Sequence, residues 1–120
     1  QVQLISTGGR YHQKTHTYVG GDSINTLRHH YIDTAFVSSI GFDIERGASE
    51  GFEQQATYKE RLVQFAKEVV LLIDSSKFAI HSEYYFAESR SISRIITDSG
   101  ISAELATEIR SKGIKLTIAE

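Results

Sequence analysis

The 120-residue chain contains no cysteine, methionine, proline or tryptophan. Without cysteine there is no disulfide scaffold, no thiolate metal site and no cysteine nucleophile. Average usage would place about six prolines in a chain of this length, but their absence carries no functional message. The missing methionine says more. A chain translated from its own start codon begins with Met, and this one begins Gln1-Val2-Gln3-Leu4; it is therefore expected to be processed or cut from something longer. Blocks of positive charge are also lacking. Thirteen Lys and Arg stand against fifteen Asp and Glu, for a net charge of −2 with His neutral, so the footprint of a nucleic-acid binder is missing. The longest unbroken apolar run, Val69–Ile73, is far too short to span a bilayer, and no signal-peptide pattern opens the chain.

What is present suits one globular unit: 40% apolar and 23% charged residues, with no linker, repeat or low-complexity stretch. Gln1–Ser6 reads as a short strand and Arg10–Gly20 as a polar loop. Asp22 is placed to cap a helix over Ser23–Tyr31, with Ile24, Leu27 and Tyr31 on one face. Thr34–Ser39 reads as a strand and the glycine-containing Ile40–Gly51 as a loop. Gln54–Glu68 is the strongest helix, with Tyr58, Leu62, Phe65, Ala66 and Val69 recurring at helical spacing. Val69–Ile73, apolar on both faces, suits a central strand covered on both sides. Phe78–Ser91 is ambiguous. Ser93–Thr97 is a strand, Ser102 caps a helix through Lys112, Gly113 supplies its C′ position, and Lys115–Ala119 closes as a strand. Strands separated by helices predict an α/β fold with a largely parallel sheet.

Ligands of open parallel sheets bind beyond the carboxyl ends of the strands. The segments there are Thr7-Gly8-Gly9, Ser39–Asp43, Asp74–Lys77 and Thr97–Gly100. Gly8 and Gly9 let backbone N–H groups approach an anion, or simply form a turn. Lys77 brings a positive charge to this rim, or is a solvated surface residue. Asp43 can accept hydrogen bonds from sugar hydroxyls, or close an Asx-turn. Asp74 and Asp98 read better as caps or turn formers than as ligand contacts. The set suits a small, polyhydroxylated, anionic ligand. His12 and His16 are four apart, but no helix and no third ligand accompany them, so no metal is expected. Catalysis finds little support: there is no G-x-S-x-G elbow, Walker A or G-x-G-x-x-G, and Glu50 and Glu53 fall in or beside a loop with no evident buried partner.

Four ordered motifs carry a further signal. They are Leu4-Ile5-Ser6-Thr7-Gly8-Gly9-x-Tyr11, Ile32–Gly47 with its Gly41-Phe42-Asp43 core, Val70–Phe78 with Asp74-Ser75-Ser76-Lys77-Phe78, and Ile95–Ile101 with Thr97-Asp98-Ser99-Gly100. The series resembles the C-terminal effector-sensing domain of DeoR-family transcriptional regulators from about residue 2 to residue 120. The resemblance implies a three-layer fold with helices on both faces of a mostly parallel sheet, similar to ribose-5-phosphate isomerase and CoA-transferase folds. It implies a cytoplasmic bacterial regulator of a carbohydrate operon, a repressor in most members, that forms a homo-oligomer and binds a phosphorylated sugar. It implies no cofactor and no membrane, with DNA contacted only through an N-terminal helix-turn-helix. Carried over, Gly8 and Gly9 edge the pocket, Gly41, Asp43 and Gly47 form the loop facing the ligand, and Lys77 contacts its oxygens or phosphate. The family's sensor usually begins some forty residues earlier, with a strand and phosphate loop, so residues 1–120 are expected to be a fragment of the sensor domain. A sugar-phosphate isomerase or CoA-transferase-like enzyme is the alternative on this fold. Against it, Thr57 stands where the family has an acidic residue two before Lys59, near the place where the isomerases keep a catalytic Glu. Glu50-Gly51-Phe52-Glu53 likewise replaces the isomerases' Lys-Gly-Gly-Gly run.

Overall fold

A computed structural model describes residues 1–120. In chain order the elements are β1 (Arg10–His12), β2 (Thr17–Val19), α1 (Gly21–Arg28), β3 (Ile32–Val37), β4 (Gly41–Asp43), β5 (Gly47–Glu50), α2 (Glu53–Phe65), β6 (Ala66–Leu72), β7 (Tyr84–Ala87), β8 (Arg94–Asp98), α3 (Ala103–Ser111) and β9 (Lys115–Ala119). Strands β3, β6, β8 and β9 form a four-stranded parallel sheet in that spatial order. The α/β class and the parallel sheet are as the alternation of strands and helices predicts.

The apolar run at Val69–Ile73 occupies the middle of this sheet. Val69, Leu71 and Ile73 of that segment join Val37, Ile95, Ala56 of α2 and Ile109 of α3 in one buried cluster, with Leu62, Val63 and Leu105 packed against it. Leu71, Ile95 and Ile109 are fully buried, each worth about 1.5–3 kcal/mol relative to an exposed side chain. The alternate face is covered unevenly, with Val70 buried and its neighbours open. Phe36 lies beside Val70 and Leu72 beside Ile96, and Phe36 is 64% exposed and Leu72 41%.

A second, antiparallel sheet has the order β4-β5-β7. It corrects the reading of Ile40–Gly51 as a loop. The glycines there permit close approach of neighbouring chains, which is compatible with a strand. A Cβ on Gly41 would lie 2.2 Å from the Ile80 carbonyl oxygen, and one on Gly47, at φ 103°, would lie 1.9 Å from that of Ala87. A single bridge between Phe42 and Phe78 joins the chain after the parallel sheet to this second sheet, and the two rings meet edge-on with centroids 6.0 Å apart.

Other boundaries differ from expectation for identifiable reasons. Gln1–Ser6 is not a strand: it has no neighbour to complete its hydrogen-bond ladder, and Val2 and Leu4 are about nine-tenths exposed (89% and 91%). The polar segment 10–20 is a hairpin, β1 pairing with β2 through Arg10–Val19, Tyr11–Tyr18 and His12–Thr17. Asp22 does not cap α1; Gly20 occupies the N-cap and no side chain bonds there. Helix α2 ends at Phe65, and Ala66 is already extended. Ala66, Lys67 and Glu68 are good helix formers, but pairing with β3 from Ile32–Ala66 onward overrides that preference. The ambiguous segment Phe78–Ser91 contributes β7 and a short 3₁₀ turn at Ser89–Ser91, and another such turn, Ser75–Lys77, precedes it. Helix α3 begins as expected, the Ser102 hydroxyl accepting from the Leu105 N–H at 3.1 Å.

Candidate functional site

The carboxyl ends of β6 and β8 are tied together by Asp98. Its carboxylate accepts from the Ser75 N–H at 2.7 Å and from the Gly100 N–H at 2.8 Å. Hydrogen bonds from the Ser75 backbone and side chain, then from Gly100, stabilise the carboxylate and lower its pKa from the usual value. Asp74 is drawn down in the same direction by the Ser76 hydroxyl and N–H, and its side chain caps the 3₁₀ turn at Ser75–Lys77. Both aspartates therefore organise backbone, as their turn-forming chemistry suggests.

Asp43 is engaged in the same way. Its Oδ1 accepts from the Glu45 and Arg46 N–H groups at 2.9 and 2.8 Å, closing the β4–β5 turn, and its Oδ2 lies 3.5 Å from His81 Nε2. Gly47 pairs directly with Asp43 and Gly41 sits at the other end of the hairpin. The Phe42–Phe78 bridge brings the Lys77 segment alongside them. The Lys77 ammonium is 3.8 Å from Asp74, with its side chain 38% exposed. Gly8 and Gly9 lie against α1, where the Ser23 hydroxyl donates to the Gly8 carbonyl and the Thr26 hydroxyl to that of Thr7. Thus Gly41, Asp43 and Gly47 share one hairpin, Lys77 directly precedes the Phe78 that bridges to it, and Gly8 and Gly9 lie on the α1 side.

The feature that sequence reading missed is a buried ion pair. Glu50, assigned there to a loop without a buried partner, ends β5 and is 4% exposed. Lys59 of α2 reaches it at 2.5 Å and also donates to the Ser38 carbonyl oxygen at 2.6 Å. Its ammonium stands 5.4 Å from the centre of the Phe86 ring. This pair links the end of β3, the end of β5 and α2. The sequence did carry a signal. Ala56, Lys59 and Val63 fall at i, i+3 and i+7, so a cation interrupts an inward-facing helical stripe.

Two clefts flank β2. One, of about 210 Å3, is lined by Thr7, Thr17, Tyr18, Val19, Gln55, Tyr58 and Lys59. The other, of about 260 Å3, is lined by Arg10, Val19, Gly20, Gly21, Asp22 and Gln54. The β1–β2 hairpin that walls them is fastened to the start of α2 by stacking of His12 on Phe52, centroids 4.1 Å apart. Elsewhere, His29 and His30 bond back to the Asn25 and Thr26 carbonyls, and His81 meets the Tyr85 hydroxyl at 2.5 Å. Near these, Tyr84 is pushed to higher pKa, first by the charge of Glu83 and then by burial. No group of three or more His, Asp or Glu side chains is placed to hold a metal ion. No helix is long and apolar enough to cross a membrane.

Comparison with known proteins agrees with this architecture. Residues 1–99 match the family model of the DeoR C-terminal sensor domain. The chain is 31% identical over 116 residues to the uncharacterized HTH-type transcriptional regulator YulB of Bacillus subtilis, covering 97% of this chain and 45% of that protein. It is 32% identical over 108 residues to the HTH-type transcriptional regulator GlpR of Haloferax volcanii, covering 90% and 42%. It is 28% identical over 120 residues to the HTH-type transcriptional repressor GlcR of Bacillus subtilis, covering 99% and 46%. The chain thus spans less than half the length of these relatives. With a matching family model over most of its length and the parallel α/β architecture in place, the chain belongs to the DeoR C-terminal sensor domain family.

Proposed function

We propose that this chain is the ligand-sensing part of a cytoplasmic bacterial transcriptional regulator, a repressor of a carbohydrate operon, and that its effector is a phosphorylated sugar. The observation that carries this reading is the match of residues 1–99 to a family of sensor domains. The chemistry of the clefts supports the ligand class. Arg10 lines one cleft with Gly20, Gly21, Gln54 and the carboxylate-bearing Asp22, and Lys59 lines the other, more apolar one with Thr7, Thr17, Gln55 and Tyr58. Cations grip phosphate through charge-assisted hydrogen bonds about twice as strong as neutral ones, and the uncharged polar groups match sugar hydroxyls. In this reading the chain binds without turnover. Its relatives are regulators, and the carboxylates Asp43, Asp74 and Asp98 are occupied by backbone N–H groups. DNA contact belongs to a helix-turn-helix elsewhere in the full protein, and ligand shifts the populations of two arrangements of a homo-oligomer.

The test is a panel of phosphorylated sugars and their unphosphorylated counterparts in a thermal-shift assay on the full-length protein. A phosphorylated sugar is expected to raise Tm where its parent sugar does not. A strong shift with another ligand class, and none with any sugar phosphate, refutes the reading.

A further inference from the structure

We infer that Lys59 is a ligand-contacting residue: it anchors the anionic group of the effector in the cleft between β2 and α2, and Glu50 is the internal counter-ion that tunes it. This deepens the proposed sugar-phosphate reading and rests on it. An ammonium has three donors. Two are used by Ser38 and Glu50 at 2.6 and 2.5 Å; the Phe86 ring stands 5.4 Å away, and the third N–H makes no hydrogen bond within the chain, which leaves it for a ligand acceptor. Lys59 also lines the 210 Å3 cleft. Its side chain is only 11% exposed, whereas that of Lys77 is 38% exposed and faces solvent-accessible Asp74. A charge removed from water acts on a ligand with little screening, and a surface charge does not. Lys59 is therefore better placed than Lys77 to discriminate a phosphate ester from a neutral sugar.

The surrounding cleft supplies the complementary half of the recognition. Thr7, Thr17, Gln55 and Tyr58 line the same cleft and are the residues that a sugar hydroxyl would meet there. The Thr17 hydroxyl shares a 2.7 Å hydrogen bond with that of Thr15. Glu50 holds the ammonium at the end of β5, and its own charge opposes an incoming dianion. Neutralising Glu50 without changing its shape keeps an acceptor for Lys59 and removes that opposition.

The experiment is calorimetric titration of the full-length protein with inorganic phosphate, with hexose and pentose phosphates, and with the unphosphorylated sugars. The variants are Lys59→Gln, Glu50→Gln and Thr17→Val. Lys59→Gln is expected to weaken the best sugar phosphate by about tenfold or more, the loss of a charge-assisted contact. Glu50→Gln is expected to tighten phosphorylated ligands several-fold and leave neutral sugars unchanged. A purely structural ion pair would not produce that split. Thr17→Val is expected to weaken the sugar phosphate more than inorganic phosphate, since only the former has hydroxyls to lose. If a sugar phosphate binds the wild type and all three variants bind it equally, the cleft assignment is wrong while the effector reading stands. If no phosphorylated ligand binds the wild type, both fall. Where Lys59→Gln does not fold, unchanged affinity in the other two variants overturns the assignment on its own.

Discussion

Replacing Lys59 by Met keeps most of the aliphatic stem that packs in α2 and deletes the ammonium. The consequence follows from the partners left behind. The Glu50 carboxylate, 4% exposed, loses a cation at 2.5 Å, and the Ser38 carbonyl loses a donor at 2.6 Å. Breaking one side of a buried pair costs about 3–5 kcal/mol, because the uncompensated charge stays in a poorly solvating site. Against a typical domain stability of about 5–15 kcal/mol, that is a large share. With a urea slope of about 1.5 kcal/mol/M, it moves the unfolding midpoint by about 2 M or more. Glu50→Leu is expected to be destabilising by a similar mechanism, with Lys59 left on the Ser38 carbonyl alone. The double variant Glu50→Leu/Lys59→Met removes both charges and is expected to recover most of the loss, since an apolar pair of similar volume often equals or exceeds a buried ion pair. Urea melts of the four proteins, monitored by far-ultraviolet circular dichroism, complete the cycle. The reasoning is refuted if Lys59→Met lies within about 0.5 kcal/mol of wild type, or if the double variant loses the sum of the single losses.

Three further outcomes are expected. Gly47→Ala places a Cβ 1.9 Å from the Ala87 carbonyl oxygen at φ 103°; a loss of about 2 kcal/mol or more, with exchange protection falling first at the β5–β7 pairing, is checked by denaturation and hydrogen exchange. Ser102→Ala removes the acceptor for the Leu105 N–H and should lower stability by about 1 kcal/mol, read from the same melts. Asp98 and Asp74 have folded pKa values below the ordinary 3.8, so their stabilisation is fully present above that value and is lost as pH falls through the depressed folded values. Asp98→Asn should flatten the acid limb of a stability–pH profile, and an unchanged limb counts against the Asp98 tie between β6 and β8.

The parallel sheet was legible because its signals are local and redundant: an apolar run at Val69–Ile73, a capped helix from Ser102, and a glycine after it at Gly113. The hairpins were not. In the sequence their glycines read as breakers, yet Gly41 and Gly47 are small so that Ile80 and Ala87 can approach, a reason visible only once distant strands meet. Gln1–Ser6 shows the converse error. Its alternation is strand-like, but a strand is a pairing and no neighbour is supplied. Among the polar residues, the Asx chemistry of Asp43, Asp74 and Asp98 could be read from composition and spacing, and the structure gives each to backbone N–H groups. Glu50 and Lys59 escaped notice because nine positions separate them across a strand–helix junction, and each looks like an ordinary surface residue until the helix sets its face.

The junction between α2 and β6 has a mechanical meaning. Helix α2 ends at Phe65 and β6 begins at Ala66, so no slack connector separates them. A helix pushed or turned at Lys59 has no hinge in which to dissipate the motion and hands it directly to β6. That strand is clamped by β3 on one side and β8 on the other, so a load applied at the cleft is shared across the sheet instead of being absorbed by a loop. Inserting two or three glycines between Phe65 and Ala66 would act as a clutch, uncoupling occupancy of the cleft from the sheet while leaving both in place.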